Sequence, residues 1–229
     1  MSISPSSQNT PPANLMQRAY QELRDAIISG AIPSGTLLSE QQIARQLNVS
    51  RTPVREALAI LEDQGLVEVR RGVGAFVRPL SYQDICHIFE VRLSLEVLAV
   101  RSALYHITPA DIQELRESFL DLLDRYENHR EVSPQEFTQM DFRLHDLIVD
   151  RCENPYVRRF MATVHANVKR LQVLSCSRLG DRRESTQQHL ELLQLLEQRN
   201  LPALEEALRK HITWSFQCFR REDGLSPIP

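Results

Sequence analysis

The feature that most constrains the fold is a pair of short helical segments set almost end to end. Ser39 precedes Glu40, Gln41 and Gln42 in the Ser-x-x-Gln pattern of a capping box, so a helix of about two turns is expected over residues 40–47. Asn48 and Val49 break the apolar pattern, and Ser50 is suited to cap a further helix carrying Val54, Leu58 and Leu61 on one face. Gly65 closes that helix. Two short helices joined by so tight a turn can cross steeply, and the second then projects its amino-terminal side chains outward. Here those side chains are Ser50, Arg51, Thr52 and Arg55.

The flanks extend the pattern. Met16, Ala19, Tyr20, Leu23 and Ile27 recur at helical spacing before Gly30, which predicts an earlier helix over about residues 15–29. Residues 66–70 and 75–78 are strand-like, separated by the hairpin turn Arg71-Gly72-Val73-Gly74. Three helices and a β-hairpin make a winged helix-turn-helix, expected over residues 15–78. Arginine bridges a guanine edge bidentately or neutralises phosphate, and serine and threonine hydroxyls suit phosphate oxygens. Taken alone, Ser50-Arg51-Thr52-Pro53 is equally a well-capped surface helix start. The hairpin shifts the balance, because Arg70 and Arg71 at its tip add a second basic contact point, one for the major groove and one for the groove beside it. Double-stranded DNA is the expected partner.

Charge adds little to that case. The net charge of the 229-residue chain is −3, and residues 15–80 hold eight Arg against seven Asp and Glu. The 42% hydrophobic and 25% charged fractions are those of an ordinary globular protein, and the length allows two cores. No apolar run approaches the roughly 18 residues that span a bilayer. Residues 1–14 are rich in Ser, Pro and Asn, carry no basic side chain, and read as a tail rather than a signal peptide, so a cytoplasmic location is expected. Cys86, Cys152, Cys176 and Cys218 form no Cys-x-x-Cys pair, which argues against a thiolate metal site and a dense disulfide framework.

Pro79-Leu80-Ser81 punctuates the chain as a linker, and beyond it the pattern is purely helical. Starts at Ser81, Thr108, Ser133, Asn154, Ser185 and Asn200 predict six helices, near 82–105, 109–130, 134–152, 155–178, 186–199 and 202–221, packed as an antiparallel bundle. Apolar stripes such as Ile112, Leu115, Phe119, Leu122 and Tyr126 give each helix a face to bury. Polar residues interrupt these stripes. Asp141 and His145 sit four apart beside Met140 and Leu144, His189 precedes Leu192 and Leu193, and His211 lies on the stripe of Leu204 and Leu208. One carboxylate and three imidazoles are a plausible donor set for a divalent metal such as zinc, nickel or manganese. From spacing alone, separate core or surface residues are the better reading, because spacing does not place helices relative to one another. His165, among Met161, Val164 and Val168, reads better as a core or interface histidine.

At Leu38-Ser39-Glu40, Val49 to Leu58, Leu61 to Gly65 and the Arg71-Gly72-Val73-Gly74 turn, the chain resembles the GntR family of bacterial regulators. The resemblance implies DNA contacts from Ser50, Arg51, Thr52, Arg55 and the wing glycine Gly72, beside the Arg71 already read from the hairpin. Many members carry Arg where this chain has Gln41, so a contact from that position is in question. Arg92-x-x-x-Glu96, Asp141 to His145, His189 and His211 resemble the FCD ligand-binding domain of the FadR subfamily, with six helices pointing to its VanR-like branch. That resemblance implies a metal on Asp141, His145, His189 and His211 and a small organic or sugar acid effector beside it. Arg92 could pair with the effector carboxylate, or structurally with Glu96. The expected function is a homodimeric transcriptional regulator, a repressor before an activator, released by its effector. The rival is a helical-bundle metalloenzyme acting on a small organic acid, but no His-Glu-x-x-His or comparable motif supplies a base. A third reading, an interaction bundle with a vestigial amino-terminal domain, would leave Arg51 and Arg55 without a task.

Overall fold

A computed structural model describes residues 12–175 and 179–222. The chain folds as two compact units that meet in sequence between Ser81 and Tyr82. The described residues form nine helices and three short strands, a mainly helical protein with one small sheet.

In the first unit, helix α1 (Pro12–Ile28) packs on α3 (Arg51–Asp63), and α2 (Glu40–Leu47) lies against α3. Helix α1 starts three residues earlier than the apolar spacing suggests, which shortens the expected tail; a proline is tolerated in the first turn because its missing N–H would be unpaired there anyway. Residues 1–11 lie outside the described set. Leu23, Ile27, Ile43, Val54 and Leu61 are all fully buried, and each such side chain contributes roughly 1.5–3 kcal/mol. The Ser39 hydroxyl accepts from the Gln42 N–H, and Asn48 ends α2 in the left-handed conformation with φ 53°, which asparagine tolerates well. The helix-turn-helix joint thus follows from two local residues.

The wing is the hairpin of β2 (Val67–Arg70) and β3 (Gly74–Val77), paired Val67 to Val77 and Arg70 to Gly74. A third strand, β1 (Leu37–Leu38), joins the free edge of β3, giving the order β1-β3-β2. It has no counterpart in the sequence reading, because two residues show no alternation. Gly74 is explained by it. A Cβ there would lie 2.8 Å from Leu37 Cδ1, and its φ of 139° is strained for any other residue.

The second unit contains α4 (Tyr82–His106), α5 (Pro109–Glu127), α6 (Pro134–Asp150), α7 (Pro155–Ser175), α8 (Leu179–Glu197) and α9 (Leu201–Glu222). Helix α4 packs against α6, α7 and α9, while α8 lies against α5, α6 and α9. The whole α5 stripe from Ile112 to Tyr126 is buried. One start differs from expectation: α8 begins at Leu179, not near residue 186. Ser185 carries the composition of an N-cap, but it is buried within the helix and its hydroxyl is used elsewhere. At the α5 start the expected cap forms fully, with Thr108 and Asp111 each accepting from the other's backbone N–H. Thr108→Ala should therefore cost about 1 kcal/mol in urea denaturation; an unchanged midpoint would show that the Asp111–Arg151 ion pair holds this end alone.

Candidate nucleic-acid interface and metal centre

Ser50, Arg51, Thr52 and Arg55 all lie exposed at the amino-terminal end of α3, on the side opposite the buried Val54, Ala57 and Leu58. Ser50 occupies the N-cap position with extended backbone, yet its hydroxyl makes no capping bond. That differs from its expected role and leaves the start of α3 with uncapped N–H groups, a surface that favours anions. The wing tip carries Arg71 and Gly72, both exposed, with Gly72 at φ 74°. Arg70 stacks over Phe76, its guanidinium carbon 4.6 Å from the ring centre, and pairs with Glu68. Helix start and wing border a groove of about 590 Å³ whose walls include Glu40, Gln41, Arg51, Arg55, Val73 and Gly74.

In the second unit, α6, α8 and α9 bring His145, His189 and His211 together in the core. The Nε2 of His145 lies 3.2 Å from that of His211 and 3.1 Å from that of His189. Each ring turns its other nitrogen outward. The Nδ1–H groups of His145, His189 and His211 meet Glu96 Oε2 at 2.6 Å, the Ser185 carbonyl at 2.8 Å and Gln188 Oε1 at 2.8 Å. A carbonyl only accepts, as does an ionised carboxylate, so His145 and His189 donate through Nδ1 and, as neutral rings, keep their Nε2 lone pairs inward. Burial pushes His189 down to about 4, and His211 well below its ordinary value, so these two rings favour the neutral, ligating form. Lone pairs facing each other at such distances repel unless a proton or a metal cation stands between them. The donor set therefore fits a divalent metal ion held by imidazole, with outward partners that fix each ring.

Asp141 stands beside this cluster rather than within it. Its Oδ1 accepts from Ser185 Oγ at 2.5 Å and lies 3.6 Å from His189 Nδ1, and its Oδ2 accepts from Gln172 at 2.8 Å. Burial raises the carboxyl, but the neighbouring His189 and His145 and these hydrogen bonds outweigh it and hold Asp141 below its ordinary value. Glu96, noticed in sequence only as a partner for Arg92, proves to be a hub. It accepts from Arg92 Nε at 2.7 Å, His145 at 2.6 Å and His165 at 3.2 Å. Although burial pushes its carboxyl up, His145 and Arg92 prevail and keep it well below the carboxylate range.

Arg92 is completely buried, flanked by Phe142 and Phe89 at 5.3 and 5.7 Å. Both readings of it thus have support: it pairs with Glu96, and its Nη1 and Nη2 have no hydrogen-bond partner among the described residues. Sequence reasoning did not find Gln172, Ser185 or Gln188. Gln172 and Gln188 reach the site only through the packing of α7 and α8, which no spacing signals, whereas Ser185 lies four residues before His189 on α8.

Residues 15–77 match the model of the gntR family of bacterial regulatory proteins, and residues 87–213 match the FCD domain. The chain belongs to the GntR family. This GntR regulator is 26% identical over 227 residues to the transcriptional repressor RspR of Escherichia coli, covering 98% of this chain and 97% of that protein. It is 35% identical over 147 residues to the gluconate operon repressor of Bacillus subtilis, covering 62% and 56% of the two chains. In fold it is similar to Escherichia coli McbR/YncC, with a TM-score of 0.77 at 21% identity over 91% of this chain and 98% of the other. A GntR-type regulator from Rhodococcus sp. RHA1 gives a TM-score of 0.72 at 23% identity over 93% and 100%. These relatives are transcriptional regulators, and this GntR protein is likewise a regulator and not an enzyme, which sets aside the metalloenzyme reading. Among the described residues no helix is long and apolar enough to cross a membrane.

Proposed function

We propose that the chain is a homodimeric repressor whose grip on operator DNA is controlled by a small carboxylic acid bound beside a divalent metal. The observation that carries this reading is the buried Arg92, with two unpartnered nitrogens in the same core as three converging imidazoles. Two buried guanidinium nitrogens without partners are costly, and a carboxylate satisfies both bidentately. His145, His189 and His211 would hold the metal, zinc, nickel or manganese, with Asp141 supplying adjacent negative charge. When bound, such an ion offers a carboxylate oxygen a coordination position and positive charge. Glu96 meanwhile orients Arg92 and His145 together, so one carboxylate links the residue for the effector to a residue for the metal.

At the other unit, Ser50, Arg51, Thr52 and Arg55 enter the major groove and Arg71 with Gly72 reaches the adjoining groove. Two copies would read the halves of a pseudo-palindromic site. A second copy has a natural seat on α4, where Val91, Leu98 and Tyr105 recur every seven residues and remain 45%, 44% and 73% exposed. The effector then acts by binding one arrangement of the dimer better than the other.

A thermal-shift screen tests the reading. Chelator-stripped protein is reloaded with zinc, nickel or manganese and challenged with small organic and sugar acids and their uncharged amides. An acid should raise the melting temperature and weaken duplex binding, because a ligand of the folded state stabilises it. Arg92→Lys keeps the charge opposite Glu96 but loses the planar fork, and should bind that acid about tenfold more weakly. Equal shifts from acids and amides would sink the carboxylate assignment.

A further inference from the structure

The recognition arginines are not free arms. Glu40, in the first turn of α2, accepts from Arg51 Nη2 at 3.0 Å and from Arg55 Nε and Nη2 at 3.1 and 3.0 Å. The three residues lie 11 and 15 positions apart in sequence, and the helix-turn-helix joint brings them together. The carboxylate side chain is 26% exposed while the two arginines are 62% and 66% exposed, so the acid sits behind the guanidinium groups, on the protein side. Hydrogen bonds from Arg55, foremost, hold Glu40 below its ordinary value and keep it ionised.

The geometry has a chemical consequence. A guanidinium has two useful edges: the side edge, Nε with Nη2, and the end edge, Nη1 with Nη2. Arg55 gives its side edge to Glu40, which leaves the end edge, one N–H from each terminal nitrogen, facing outward. The free edge still presents two parallel N–H donors and can meet O6 and N7 of a guanine. Arg51, tied by a single bond to the same Oε2, is steered into the same neighbourhood one helical turn away. The rotamer freedom of two long side chains is thus largely lost before any nucleic acid arrives.

We propose that Glu40 is the positioning residue that sets sequence selectivity, by presenting the end edge of Arg55 to a base and holding Arg51 beside it, instead of letting the two collapse onto the nearest phosphates. The inference rests on the DNA-binding reading above and assigns a role to a residue that touches no base in it. An opposite expectation comes from charge alone. If Glu40 merely repelled phosphate, removing it would tighten binding to every sequence equally.

The test uses the full chain and a pool of randomised duplexes, from which wild type selects its preferred sequence. Affinity for that duplex and for a scrambled one of the same composition is then measured for wild type, Glu40→Gln and Glu40→Asp. Glu40→Gln should lower the ratio of selected to scrambled affinity about tenfold, the size of one lost bidentate base contact, while scrambled binding stays equal or tightens. Glu40→Asp, which keeps the charge but is one methylene too short to span both arginines, should lose the ratio as well. Retention of the ratio within about twofold by either variant overturns the role, as does an equal change on both duplexes. A wild-type chain that selects no sequence overturns the DNA reading itself, and the role of Glu40 falls with it. Glu40 is a surface charge in the first turn of α2, so Glu40→Gln should lower the melting temperature by only a few degrees, and affinities are compared well below it.

Discussion

Replacing Arg51 and Arg55 together by alanine should lower affinity for the selected duplex by about a hundredfold or more. Each bidentate base contact is worth roughly 1–3 kcal/mol, and the two residues stand at the exposed start of α3, where no buried partner depends on them. The loss divides into two recognisable parts. To the extent that the arginines read bases, the ratio between selected and scrambled duplex collapses. To the extent that they neutralise phosphate, binding weakens on every sequence and the slope of log affinity against log salt shrinks by about 0.9 for each contact removed. Gel-shift or fluorescence titrations across a salt series separate the two. Binding within twofold of wild type on both duplexes would remove α3 from the interface. Arg71→Ala, at the exposed wing tip, should give a smaller loss that is mostly non-selective.

The amino-terminal unit was legible because its signals are local. Ser39 caps α2, Asn48 ends it, and the glycines of the wing stand where the backbone needs them, so each decision lies within a few residues. The errors are of the opposite kind. Strand β1 is defined by its pairing with β3, and nothing in Leu37-Leu38 itself announces a strand. Ser185 looked like a helix start because serine suits N-caps, yet tertiary structure gave its hydroxyl a different acceptor, Asp141, across 44 residues of sequence.

The same division runs through the candidate centre. His145, His189 and His211 stood out as polar residues on apolar stripes, since burying them unpaired is expensive. What the Nδ1 atoms of His145 and His211 meet was hidden, because Glu96 and Gln188 reach those rings only through helix packing, whereas the Ser185 carbonyl meets His189 within α8 itself. Asp141 shows the limit most clearly. Its four-residue spacing from His145 places both on one helix face, but a face is wide enough for the carboxylate to stand on the Nδ1 side of His189, away from the Nε2 cluster. Glu40 with Arg51 and Arg55 is a further case, visible as three charges and not as one device.

Acid should destabilise metal-free protein steeply between about pH 6.5 and pH 4. Burial depresses His189 from an ordinary value near 6.5 to about 4. The unfolded chain therefore binds a proton in this window that the folded chain refuses. Stability is fully present above 6.5 and declines as pH falls toward 4, by on the order of 3 kcal/mol from this ring alone. His211 is depressed for the same reason and acts in the same direction. Glu96 and Asp141 also lie below their ordinary values of 4.5 and 3.8, so their contribution is lost only in more acidic solution. Urea denaturation of chelator-treated protein at a series of pH values should show two stages, an upper one from the histidines and a lower one from the carboxylates. His189→Ala/His211→Ala should remove the upper stage. In metal-loaded wild type the added stability should be largest near neutral pH and fade through the same window, because protons and metal compete for the same Nε2 lone pairs. The double variant should then neither retain metal on purification nor gain stability from it. Metal content equal to that of wild type would place the ion elsewhere, and the histidine cluster would have to be read as a buried polar core.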